Sequence, residues 1–232
     1  MTSRYALYWT PDPAGPLAAF GASWLGHDPA RGGAVPRLAI SDIDAAEQEA
    51  ATLSPRRYGL HGTLKPPFAL APGKQERELE DRLAAFAAAS AAFAVPALHL
   101  ADIKGFLALV PSAPCPPLNA LADAAVRAFD DLRAPAPPEE LARRRKANLS
   151  ARQDGHLMRW GYPYVFEDFA FHITLTERLD EARRAHFRQT LEPLVAPFCT
   201  TPWRFDAVSL LRQDNAAAPF VLERRYLLGG GA

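Results

Sequence analysis

The chain has 232 residues, 49% of them apolar, enough to bury a substantial core as one large domain or two small ones. Its 26 Lys and Arg balance 26 Asp and Glu, so the formal net charge is zero. A protein that coats nucleic acid non-specifically needs a positive excess, and any phosphate binding here has to be local.

From the amino terminus, MTSRYALYWTPDP holds no apolar leader and no stretch reaches membrane-spanning length, so a soluble cytoplasmic protein without membrane partners is expected. The alternation in RYALYWTP (4–11) predicts a strand, and Leu17, Phe20 and Trp24 share one face of a helix over 14–26. A Gly- and Pro-rich loop fills 27–40, and Ser41 is a candidate N-cap for the helix after it. RYGLHGTLKPPF (57–68) reads as a strand that its prolines end or push to an edge. An amphipathic helix at 74–90, a hairpin at 97–112 turning near Lys104-Gly105, and a helix at 117–132 follow. The stretch 134–168 differs: prolines, a basic helix, then an aromatic loop, as an insertion would read. A second strand at FAFHITLTERL (169–179), a helix at 180–195, a hairpin and a frayed GGGA end complete the chain. Mixed elements in this order predict an α+β fold with two mostly antiparallel sheets and flanking helices.

Two of these segments repeat each other. Tyr58-Gly59-Leu60-His61-Gly62-Thr63-Leu64 aligns without gaps on Phe169-Ala170-Phe171-His172-Ile173-Thr174-Leu175. With six His and nine Thr in the chain, His-x-Thr should arise about 0.2 times by composition. Side chains two apart on a strand share a face, so His61 lies with Thr63, and His172 with Thr174 and Thr176. A polar face on a central strand is costly unless it lines a wet cleft. A lone strand histidine is ordinarily a half-buried structural residue; two in a pseudo-repeat favour a paired site. Histidine titrates near neutrality, so one ring can accept a proton from an attacking oxygen while the other donates to the leaving oxygen. The threonine hydroxyls can donate to the non-bridging oxygens of a phosphoryl group held between them.

Paired His-x-Thr strings on two pseudo-symmetric lobes resemble the 2H phosphoesterase superfamily. RYALYW, RRYGLHGTLKPPF, GFLALVP, ELARRR and RWGYPYVFEDFAFHITLT are more closely similar to its DUF1045-type branch, described as a putative phosphonate-metabolism protein. The resemblance covers nearly the whole chain. It implies one bilobal, pseudo-symmetric domain with its site between the lobes, His61 and His172 catalytic, and Thr63 and Thr174 on phosphate. Gly62 stands where Ala is expected as often, a change that should be harmless. The implied substrate is a small cyclic sugar phosphate or nucleotide, with no cofactor. A non-catalytic binder of a phosphorylated ligand, or an enzyme acting on RNA ends, are the alternatives.

Further candidates flank the motifs. Arg57 and Lys65 lie on the His61 face if the strand stays regular, and Arg178 follows the second motif. Arg143 opens the basic run 143–146, whose ordinary reading is a solvated face. Trp160, Tyr162 and Tyr164 can stack on a substrate or form a rigid packing loop. His156 reads as a surface residue, and His99 and His186 receive no role. Neither Cys115 nor Cys199 stands in a disulfide framework or a metal-ligand spacing.

Overall fold

The computed structural model describes residues 3–229. The alternation in RYALYW becomes β1 (Arg4–Trp9), buried on both faces. Tyr5, Leu7 and Trp9 enter the main core, while Ala6 and Tyr8 join a smaller cluster with Leu211 and Phe220. Helix α1 (Pro16–Leu25) opens on a proline that needs no amide partner and closes at Gly26, whose φ of 72° suits glycine. A two-strand ribbon, β2 (His27–Asp28) and β3 (Gly33–Ala34), sits in the expected loop.

Helix α2 (Ala45–Ala51) is capped by Asp44, not Ser41: the Asp44 carboxylate accepts from the Glu47 amide at 2.7 Å. A short α3 (Leu53–Arg56) leads into β4 (Gly62–Ala69), and α4 (Glu76–Ala89) buries Leu79, Leu83 and Ala87. The strand β5 (Phe93–Val95) precedes the hairpin β6 (Leu98–Ile103) and β7 (Phe106–Pro111), which turns at Lys104 and Gly105, both at positive φ. After α5 (Pro116–Ala128), residues 134–168 form α6 (Pro138–Arg145), α7 (Ala151–Trp160) and a 3-10 turn, Phe166–Asp168. The second motif supplies only β8 (Ile173–Thr174). Helix α8 (Glu181–Val195), β9 (Trp203–Phe205) and the hairpin β10 (Ala207–Gln213) and β11 (Val221–Leu227) follow. Of the GGGA end, all but Gly229 lies outside the described residues.

The α+β class is as expected, but the two expected sheets are joined. One antiparallel sheet runs β11-β10-β1-β4-β8-β7-β6, and β5 and β9 form a separate ribbon. Its two halves meet through a single residue pair, Gly62 with Ile173. The final hairpin β10–β11 extends the half containing the first motif, while the early hairpin β6–β7 pairs with the second. Each lobe is therefore built from both ends of the chain. Among the described residues no helix is long and apolar enough to cross a membrane.

Candidate active site

Both motifs lie where the two half-sheets join. Extending the Gly62–Ile173 register by one residue in each direction sets His61 opposite Thr174 and Thr63 opposite His172. All four side chains then share one face, each histidine beside the other motif's threonine. The two histidines are diagonal neighbours, a relation that separates Cα atoms by about 7–8 Å. Gly62 and Ile173 occupy the opposite face, with Leu64, Phe171 and Leu175 in the main core.

The two rings are held alike. His61 Nδ1 lies 2.9 Å from the Gly59 carbonyl, and His172 Nδ1 lies 2.8 Å from that of Ala170. A carbonyl only accepts, so Nδ1 carries the hydrogen and Nε2 keeps a lone pair for the groove. Tyr8 stacks on His61 with centroids 4.1 Å apart, and Phe106 lies 5.7 Å from His172. Burial pushes the His61 pKa down to about 4, opposed by the Gly59 carbonyl and assisted by the charge of His172.

A cavity of about 700 Å³ is lined by His61, Thr63 and Thr174 with Arg4, Tyr8 and Arg144. A neighbouring one of about 340 Å³ holds His172, Tyr164 and Phe169, and Thr63, Phe106, Tyr162 and Arg178 line both. The two form one groove across the sheet join. Among the described residues no three His, Cys, Asp or Glu side chains converge as a metal ion requires.

Of the flanking candidates, Arg143, Tyr162, Tyr164 and Arg178 reach the groove. Lys65 does not: it is buried on the opposite side, where its ammonium donates to the Val126 carbonyl at 3.1 Å. Between the Tyr8–Thr63 and Leu7–Lys65 pairs β4 gains one residue over β1, and this bulge reverses the face on which Lys65 falls. A second register shift spans Pro66 and Pro67, where β8 no longer pairs and no amide hydrogen is required. Arg57 lies outside β4, at the end of α3, and its guanidinium donates to the Ala216 carbonyl. Trp160 packs edge-on against Phe166 under the Arg159 guanidinium and does not line the groove. His156 is not a free surface residue: its Nε2 lies 3.4 Å from the Glu167 carboxylate.

Sequence reasoning passes over Arg4, Tyr8, Tyr58 and Phe106, and holds Arg144 only as part of the basic run 143–146. On a strand such as RYALYW an aromatic side chain reads as core, and only the register with β4 shows that Tyr8 meets His61. Nor is Gly62 interchangeable with Ala, because the Phe171 ring occupies the space a β-carbon would need.

The sequence profile of the family described as "Protein of unknown function (DUF1045)" matches residues 63–221. A relative from Janthinobacterium sp. (strain Marseille), named ribose 1,5-bisphosphate phosphokinase PhnN, is 39% identical over 98% of this chain and 51% of its own length. One of the same name from Laribacter hongkongensis is 42% identical over 77% of this chain and 41% of its own. The chain spans about half the length, or less, of these curated relatives. Among solved structures, E. coli LigT complexed with 3'-AMP is similar at a TM-score of 0.43 and 14% identity, over 98% of this chain and 99% of that one. TT0787 of Thermus thermophilus reaches 0.45 and 17%, over the full length of both.

Proposed function

This chain belongs to the DUF1045 family, and from its paired-histidine groove we propose that it is a 2H-type phosphoesterase acting on a small cyclic phosphodiester. One observation carries the reading: Gly62 pairs with Ile173 at the sheet join, between the histidine and threonine of each motif, and each histidine has its Nδ1 tied to the carbonyl two residues back. That arrangement leaves two Nε2 atoms and two hydroxyls around a space suited to one phosphoryl group.

In the proposed reaction water attacks phosphorus, and the two rings take the two proton transfers. Burial keeps His61 neutral near pH 7, so its Nε2 takes the water proton as the new P–O bond forms. His172, as the imidazolium, gives its Nε2 proton to the sugar oxygen as the old P–O bond breaks. Thr63 and Thr174 donate to the non-bridging oxygens, whose charge rises at the transition state. The product is a phosphomonoester, and the two histidines exchange protonation states before the next turnover.

The substrate proposed is a cyclic sugar phosphate or a nucleotide of similar size, of the kind handled in phosphonate metabolism. The groove volume and the ribose phosphate named for the longer relatives support this reading. The kinase activity in that name belongs to proteins about twice as long, and no kinase step is proposed for this chain.

A panel of cyclic 2′,3′-nucleotides and cyclic sugar phosphates, assayed with chelator present, tests the proposal. Turnover is expected to survive chelation, and His61→Ala or His172→Ala is expected to lower it by about two to four decades. A folded His61→Ala protein with full activity would leave the groove as a binding site only. Activity lost to chelator and restored by one divalent ion would replace acid–base catalysis with a metal-assisted reaction.

A further inference from the structure

The cavity on the His61 side is larger and more cationic than one phosphodiester requires. Arg4, at the start of β1, lines it, and its Nε and Nη2 donate to Gln213 Oε1 at 2.9 and 2.5 Å. Gln213 is fully buried and anchored in turn through its Nε2 to the Ala218 carbonyl at 2.6 Å. Arginine in a protein wall is ordinarily oriented by a carboxylate, which also cancels its charge. Here a neutral amide gives the orientation and leaves the charge uncancelled. Among the described residues no carboxylate lies within ion-pair distance of Arg4.

A second guanidinium faces the same space. Arg144 of α6 lies over the Tyr162 ring at 4.9 Å and shares the single Glu140 carboxylate with Arg143. The Tyr8 phenol lies within electrostatic reach of Arg4, Arg144, Tyr58 and Tyr162. Among the described residues the hydroxyls of Tyr8, Tyr58 and Tyr162 hydrogen-bond to no protein group, and all three side chains line the cavity. The one acid of the wall, Glu177, accepts from the Ser54 amide at 2.7 Å. Two oriented guanidiniums, of which Arg144 is paired with Glu140 and Arg4 with no carboxylate, thus face one space together with three phenols.

We propose that this cavity is a second anion site, built for a terminal phosphoryl group that the substrate carries besides the phosphodiester between the histidines. The proposal rests on the phosphoesterase reading for the position of the first phosphate, and it narrows the substrate to a doubly phosphorylated small molecule. Arg4 and Arg144 supply charge to the terminal group, and the phenols donate to its oxygens.

The test compares adenosine 2′,3′-cyclic phosphate with the same compound bearing a 5′-phosphate. Binding is read calorimetrically on the His172→Ala protein, and turnover on the unaltered active site. The 5′-phosphate is expected to raise both affinity and kcat/KM by roughly tenfold or more, the worth of one or two charged hydrogen bonds. In Arg4→Gln that ratio is expected to collapse toward one.

Gln213→Glu is the second variant: it keeps an acceptor for the guanidinium and cancels its charge, but it removes the donor to the Ala218 carbonyl, so an unchanged melting temperature is checked first. It too is expected to abolish the ratio, whereas a purely structural Arg4 would tolerate the change. A ratio near one in the unaltered protein, or one insensitive to Gln213→Glu, overturns the proposal while leaving the phosphoesterase reading intact. An equal gain from a 5′-carboxylate overturns the assignment to a phosphoryl group. If neither compound is turned over but the doubly charged one binds in a Gln213-dependent way, the second site stands and the catalytic reading fails.

Discussion

The Phe171 ring lies where a β-carbon on Gly62 would stand, at the one residue pair that joins the two half-sheets. Gly62→Ala is therefore expected to part β4 from β8 and lower stability by about 1–3 kcal/mol, the usual cost of overpacking. Activity should fall with it, because the histidine–threonine spacing depends on that pair; Phe171→Leu in the same background should restore both, as measured by denaturant midpoint and rate. His61 has a direct signature as well. Its folded pKa of about 4 lies below the 6.5 of an unperturbed imidazole. Between those values the unfolded chain binds a proton that the folded chain refuses, so stability is lost as pH falls from 6.5 to 4. An anion beside the ring opposes the shift, so inorganic phosphate should move the NMR titration midpoint of His61 upward. A midpoint that phosphate leaves in place would count against a phosphate seat between the histidines. Lys65 works at the other end of the scale: burial lowers its pKa from 10.5 to about 8. The folded state sheds that proton first, so stability rises with pH from 8 to 10.5. Lys65→Met should erase the rise, read from urea midpoints across that range, and should leave activity unchanged because the side chain faces away from the groove.

At the scale of elements, the insertion divides into a part that packs and a part that meets the groove. Helix α6 buries none of its residues, and its Arg145 is tied to Asp154 of α7 at 2.6 Å. That loose seating lets α6 present Arg143 and Arg144 to the cavity while α7, fixed by its Ser150–Gln153 capping box, carries the load. Tyr162 lies in the groove wall and Trp160 behind it, so their truncations should separate. Tyr162→Ala is expected to raise KM more than it lowers kcat, whereas Trp160→Ala should lower the melting temperature with KM unchanged. Equal effects of the two on KM would show that the whole loop contacts substrate. Helix α1 reaches both motifs from the core side: Gly21 packs on Leu60, and Trp24 Nε1 donates to the Leu175 carbonyl at 2.8 Å. Replacing Trp24 by Phe leaves that buried carbonyl without a partner, at a cost of about 1–3 kcal/mol.

Across the whole molecule, the exchange of hairpins places strands from both ends of the chain in each half of the sheet, so one cooperative unit is expected. A fragment of residues 1–133 keeps β1, β4, β6 and β7 but loses β8, which lies between β4 and β7, and β10, which covers the other side of β1. It would expose unpaired strand edges on both halves of the sheet. The intact chain is expected to melt in a single transition and the fragment to show none by circular dichroism. A cooperative melt of residues 1–133 would mean that the first half carries its own core. The same join makes the site a property of the assembled sheet, since one histidine comes from each half.

Much of this was written locally. The spacing of apolar residues gave α1, α4, α5 and α8, and the Lys104-Gly105 turn gave the β6–β7 hairpin, because periods of two and 3.6 are properties of adjacent residues. The repeated His-x-Thr strings named four residues beside the join, although the first string opens an eight-residue strand and the second forms one of two residues. Contacts between distant segments left no such mark. One bulge on β4, between Thr63 and Lys65, turned Lys65 into the core, and the crossed pairing of the hairpins made one sheet of the expected two. Arg4 and Tyr8 became groove residues only when β1 paired with β4 and β10. Register and bulge placement follow from the summed packing of both strand faces, and no short window of sequence holds that sum.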